Sequence, residues 1–330
     1  MTRVPVSILD RANTRAGGSE ADALASVIDR ARSAEDLGYR RFWVAEHHGV
    51  PGIAGSAPTV LMAAIAARTD EIRVGSGGVM LPNHQPLVVA EQAATLESLH
   101  PGRIDLGVGR SVGFTAAVRK ALRQDADAPE RFAEDLAELM AHLEGTAAIT
   151  ARPRNQGVTP LFVLATGKGL EHAAAAGLGV VVGGPTLFGG TSDGTHPDIA
   201  RYRATFRPSS WFARPHVIVA ANIAAAETRE AARDLLVPEA WALAQSRTKG
   251  EFPPLEDPKH LATRTMTRRE QTMVQDYLDN AIYGTADDAR RQVTSLVDFT
   301  GADELMVTGG MYEPAGRERS DLLVSELFEE

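Results

Sequence analysis

One rhythm of apolar and polar positions runs along the chain: a short apolar run, a polar or glycine-bearing turn, then apolar residues at helical spacing. Runs at Val4–Leu9, Phe42–Ala45, Glu71–Gly75, Arg103–Arg110, Pro160–Ala165, Gly179–Val182, Pro215–Ala221 and Asp303–Thr308 predict eight strands. Between the first two, Leu24, Val27, Ile28, Ala31, Ala34 and Leu37 mark a helix over Glu20–Leu37, with Gly38 placed to close it. The same spacing predicts helices over Pro58–Thr69, Pro86–Leu99, Ala116–Leu122, Pro129–Leu143, Leu170–Ala176, Asp198–Phe206, Ala225–Ala244 and Thr265–Asn280. Pro238 is expected to kink or interrupt its helix. Thr285, with Asp288 at the third helical position, starts another, and Gly316–Phe328 closes the chain.

Nearly every strand is followed by a helix, without a linker-like break. This predicts an α/β fold, a single (β/α)8 TIM barrel over residues 1–330, rather than two Rossmann-like domains. The polar stretch Arg247–His260 has the length of a mobile lid over a barrel mouth.

Composition narrows the classes. The 330 residues are 44% apolar, enough for a large core, and include no cysteine. Disulfides, thiolate metal sites and a cysteine nucleophile are thereby excluded. Formal charge is −9 and the basic residues are scattered, which disfavours nucleic acid as a partner. No apolar stretch reaches the length of a membrane span and no signal-peptide pattern opens the chain. A cytoplasmic enzyme is the expectation.

Barrel enzymes place their sites at the C-terminal strand ends. Strand two ends in Glu46-His47-His48, three groups able to carry protons or charge. Alternation puts His47 on the face of Trp43 and Ala45, and Glu46 with His48 on the other. Other strand ends offer Gly75-Ser76-Gly77-Gly78, Gly107 with Gly109 and Arg110, and Gly183-Gly184. Bare backbone at several strand ends suits a flat, wide ligand, although tight turns explain any one glycine equally well. Thr166-Gly167-Lys168-Gly169 before a helix reads as an anion nest, with Arg110 as a supporting charge; it lacks the Walker spacing. A metal held by Glu46, His47, His48 and His84 is the rival reading. No metal is expected, because strand one carries no histidine pair and adjacent histidines point apart. His100, His142, His172, His216 and His260 read as surface or structural residues.

Several stretches resemble the bacterial luciferase-like flavin monooxygenases: Trp43–His48, Arg73–Pro82, Pro86–Glu91, Gly102–Arg110, Pro215–Val217 and Thr300–Thr308. The resemblance covers nearly the whole chain in order. It implies a (β/α)8 barrel and an enzyme using reduced FMN (FMNH2) or, in a related branch, the deazaflavin F420. It further implies a separate NAD(P)H:flavin reductase, O2 adding to the flavin at C4a, a small organic substrate and a homodimer. The peroxide so formed must be kept from water. His47 matches the family's catalytic histidine, assigned to proton transfer because imidazole titrates near neutrality. Glu46 either orients His47 or is structural. Arg110, Thr166 and Gly167 match the flavin phosphate site, and Ser76 and Gly77 lie where backbone runs along the isoalloxazine. Phe114, Phe188 and the Arg247–His260 stretch are expected to shape the pocket.

The chain departs from luciferase at Gly109, which matches a reactive cysteine there. That loss argues against light emission from a long-chain aldehyde, not against monooxygenation. The lack of a basic cluster for the acidic F420 tail favours FMN. Two alternatives stay open: hydride transfer on F420 or FMN without oxygen insertion, and flavin binding without catalysis.

Overall fold

The strands are nearly uninterrupted apolar runs, as expected where both faces of a parallel sheet are covered. A computed structural model describes residues 4–113, 115–125, 127–154, 157–189 and 194–328. Its strands are β1 (Val6–Asp10), β2 (Arg41–Val44), β3 (Arg73–Ser76), β4 (Val79–Met80), β5 (Ile104–Gly109), β6 (Leu161–Leu164), β7 (Gly179–Gly183), β8 (Val217–Ala225), β9 (Ala281–Gly284) and β10 (Glu304–Thr308). Eight of them close into a parallel barrel in the order β10-β1-β2-β3-β5-β6-β7-β8, with β8 returning to β10. The predicted (β/α)8 barrel is therefore the fold. β4 pairs with the end of β5, and β9 with the far end of β8.

Alternation along each strand sorts the core into two. Ile8, Phe42, Val44, Val74, Ile104, Leu106 and Val108 face outward into the large core shared with the helices. Trp43, Phe162, Val181, Ile218 and Met306 fill the barrel interior. Trp43 meets Phe162 edge-on with ring centroids 5.2 Å apart.

Below that layer lies a buried ionic plug at the N-terminal end of the barrel. Arg41 donates from Nε to Glu304 (2.9 Å to Oε1) and from Nη1 to Asp105 (2.6 Å). Arg73 reaches Asp105 at 2.6 Å, and Ser7 donates to Glu304. Two carboxylates set against two guanidiniums balance one another, so neither sign is buried alone.

The structure redraws three expectations. The helix expected from Ala225 begins at Arg229 and runs unbroken to Lys249 through Pro238. Its start is displaced because the sheet claims the residues before it. β8 continues to Ala225, pairs with β9 from Asn222 onward, and Ala225 N–H donates to Ser320 Oγ at 3.0 Å. Beyond the proline, Ala240, Trp241 and Ala244 bury one flank of the helix, and that packing carries the helix past the missing N–H.

The expected lid is not free. Arg247–Lys249 belong to the helix, and the rest is sewn to the loops after β1 and β2. Leu255 N–H donates to Thr14 O (2.9 Å), Ala16 N–H to Leu255 O (2.8 Å), and Gly52 N–H to Phe252 O (2.9 Å). Leu255 is fully buried. Phe188, expected at the pocket, packs against the outer core instead, and Phe114 lies outside the described residues. Among the described residues no helix is long and apolar enough to cross a membrane.

Candidate active site

β2 stops at Val44, but its extended course is held further. Ala45 N–H donates to Asp10 O at 3.1 Å and His47 N–H to Gly55 O at 2.8 Å. Alternation therefore persists to His47, which faces inward above Trp43 and Ala45, as the spacing predicts. It enters a cavity of about 650 Å³ at the C-terminal strand ends.

The walls come from several strands. Leu9, Ala45 and His47 form one side; Gly77, Gly78 and Met80 follow; Gly109, Arg110, Leu164 and Thr166 lie beyond, with Lys168, Gly169 and His172 at the start of the next helix. The structure thus gathers His47, Gly77, Arg110 and Thr166 around one space. Gly167 is not part of the lining; it precedes the helix Lys168–Ala176 as its N-cap, at a positive φ of 54° that favours glycine. Ser76 is not in the lining either. Its hydroxyl donates to Gly107 O (2.8 Å) and accepts from Gly107 N–H (3.0 Å), tying β3 to β5.

The glycines divide by role. A Cβ on Gly75 would lie 2.4 Å from Trp43 Nε1, one on Gly77 2.4 Å from Leu9 Cδ1, and one on Gly107 2.2 Å from Ser76 O. Packing of the barrel demands Gly75 and Gly107, which face a fixed indole and a backbone oxygen, whereas at Gly77 the end of the flexible Leu9 side chain could move aside. A Cβ on Gly109 would meet nothing within 4 Å, so that backbone borders open cavity.

Burial sets the state of His47. Desolvation first, and the Arg11 guanidinium second, press it down to about 4 against the opposing pull of Glu46. The imidazole is therefore neutral near pH 7, and a weaker base than a free histidine. This corrects the expectation that it titrates near neutrality.

Glu46 turns the other way, and its carboxylate is fully buried. Its Oε1 accepts from His48 Nε2 at 2.7 Å and His84 Nε2 at 2.9 Å, and its Oε2 from Met80 N–H at 2.9 Å. Burial alone would raise it, but the His48 and His84 bonds, with Met80, hold it at about 2. Glu46, His48 and His84 could offer three ligand atoms within 4.8 Å of one another. Donors sharing a tetrahedral zinc stand about 3.4 Å apart, from bond lengths near 2 Å. The 2.7 and 2.9 Å separations are those of hydrogen bonds.

At the opposite wall, the helix Lys168–Ala176 directs its N-terminus at the cavity, with Lys168 and Arg110 beside it. Backbone dipole and two cations make that end a place for an anion. His172, read from sequence as surface or structural, lines this wall too. One turn separates it from Lys168, a helical spacing that could have found it.

Comparison with known proteins identifies the family and the fold. The family model described as luciferase-like monooxygenase matches residues 3–304. A luciferase-like monooxygenase of Escherichia coli (strain K12) is 36% identical over 336 residues, covering 99% of this chain and 98% of its own. The crystal structure of apo-MsnO8 is 32% identical with a TM-score of 0.84, covering 99% of both chains. The oxygenating constituent of 3,6-diketocamphane monooxygenase from Pseudomonas putida, in complex with FMN, has a TM-score of 0.71 and covers 98% of this chain and 97% of that one. At 16% identity it shows the shared fold alone.

Proposed function

Because the chain belongs to the luciferase-like monooxygenase family, we propose that its barrel mouth binds reduced FMN, received from a separate NAD(P)H:flavin reductase, and uses O2 to oxygenate a small organic substrate. One observation carries this reading: a single cavity joins a neutral imidazole, a bare strand end and a cationic helix start. The residues fit the cofactor. Thr166, Lys168 and Arg110 would hold its phosphate, and the open backbone at Gly109 leaves room for a flat ring. When bound, reduced FMN supplies the two electrons that let one oxygen atom enter the substrate and the other leave as water.

The chain's own residues do the rest. His47, neutral and inward-facing, accepts a proton at the cavity. Leu9, Met80, Leu164 and Val181 keep that space apolar, which protects a reactive oxygen species from water. The protein works as a homodimer in this reading. Val60 and Val88, 70% and 43% exposed in the first turns of the neighbouring helices Pro58–Ala66 and Pro86–Leu99, supply apolar surface for it.

Anaerobic titration with FMNH2 and with reduced F420 tests the cofactor, and isotopically labelled O2 with a panel of aldehydes, ketones and aromatic polyketides tests the reaction. FMNH2 should bind and label should enter a product. Binding of F420 alone, with hydride transfer and no label incorporated, overturns the proposal.

A further inference from the structure

Glu46 stands next to the proton-accepting His47 in sequence but serves a different side of the wall. Its carboxylate gathers three points of chain: His48 just beyond β2, Met80 in β4, and His84 after the turn Leu81–Asn83. Two of the stretches so joined line the cavity, Ala45–His47 on one side and Gly77, Gly78 and Met80 on the other.

We propose that Glu46 is a positioning residue: its buried carboxylate clamps the β2 exit to the β4 loop and so sets the distance at which His47 is presented to the reacting centre. The proposal rests on the reading of this cavity as a flavin site. An ionised carboxylate only accepts hydrogen bonds. Both imidazoles must therefore carry a proton on Nε2, which fixes their orientation as well as their place. The three bonds leave Oε1 with two donors and Oε2 with one, so the clamp is satisfied without help from solvent. Met80 adds directionality, because its N–H is spent on Glu46 while the residue itself borders the cavity.

Replacing the carboxylate by an amide tests this. Glu46→Gln keeps the size but loses one acceptor oxygen, so the set of three donors can no longer be held. FMNH2 binding and the rate at which bound FMNH2 is reoxidised by O2, giving FMN and H2O2, are measured for both proteins. Histidine spectra of isotope-labelled protein report the ring tautomers. The Gln variant should bind FMNH2 within about threefold of the parent, because the anion wall is untouched, while the reoxidation rate changes about tenfold or more, the scale expected when a group is misplaced by a fraction of an ångström. The Nε2–H signatures of His48 and His84 should change with it.

His84→Leu and His84→Gln guard against a variant that fails to fold, because His84 is partly exposed. The Leu variant should reproduce the change in rate, and the Gln variant, which restores an N–H donor, should recover most of it. Altered tautomers with an unchanged rate would reduce Glu46 to a structural residue and overturn the proposal. Failure of the parent to bind FMNH2 would instead strike the flavin reading, and the tautomer result would stand apart from it.

Discussion

Trp43 and Gly75 lie side by side in β2 and β3, so close that a single methyl on Gly75 would sit 2.4 Å from the indole nitrogen. The indole cannot retreat. It is fully buried, its Nε1–H donates to Asp105 Oδ2 at 3.2 Å, and Phe162 meets it edge-on. Gly75→Ala should therefore destabilise the barrel by about 1–3 kcal/mol, the usual cost of overpacking a filled core. Urea denaturation measures it, and an unchanged midpoint would show that the interior layer is looser than its contacts indicate.

Gly109 is the opposite case. Nothing lies within 4 Å of a Cβ there, so Gly109→Leu should leave the urea midpoint nearly unchanged. The larger side chain projects into cavity rather than core, and FMNH2 affinity should fall by about tenfold or more, at roughly 1.4 kcal/mol per decade. Equal affinity in the variant would place the ring elsewhere in the mouth.

Acid should weaken the fold in two adjoining steps. His47 has a value of about 4 in the folded chain against 6.5 when unfolded, so between these values the unfolded state binds more protons and stability falls as pH drops. The shift corresponds to at most about 3 kcal/mol. Glu46, at about 2 against 4.5, contributes stability that is present above 4.5 and lost as pH falls towards 2. Other lowered carboxylates, Asp10 and Glu304 among them, titrate in the same acid range, so urea midpoints should show the upper step shrink in His47→Asn and the lower one shrink, without vanishing, in Glu46→Gln.

The ionic plug makes a fourth case. Asp105→Ala leaves Arg41 and Arg73 short of their shared carboxylate, both in the closed end of the barrel. Loss of one partner from a buried pair costs about 3–5 kcal/mol. Thermal unfolding should register this, while Arg201→Ala, which breaks the exposed pair with Glu171, should change little.

The barrel was legible because its strands are apolar runs separated by helices of plain 3.6-residue period. His47 was legible for the same reason: alternation from Trp43 decides its face. β9 was not, because Ala281–Tyr283 is a brief apolar stretch between two helices, too short to separate from a turn. The continuous helix through Pro238 was hidden because tertiary packing, invisible locally, outweighs the loss of one hydrogen bond. Glu46 was put on the right face, with His48, but its other partners were not legible. Its partners His84 and Met80 are far along the chain, and only the closed barrel brings them to it. The glycines read alike in sequence, yet Gly75 and Gly109 meet different surroundings, which a neighbouring strand decides.

The stitched segment near Leu255 bears on how a substrate arrives. It is fastened to the loops around Thr14 and Gly52, and backbone bonds on both sides of Leu255 leave it little freedom to swing. The cavity is bordered instead by Arg110–Val112, Pro129, Phe132 and Ala133, and in the proposed function these form the doorway. On that reading, entry and proton transfer fall to separate pieces of chain. The doorway can be recut for molecules of another shape while the wall that carries His47 stays as built.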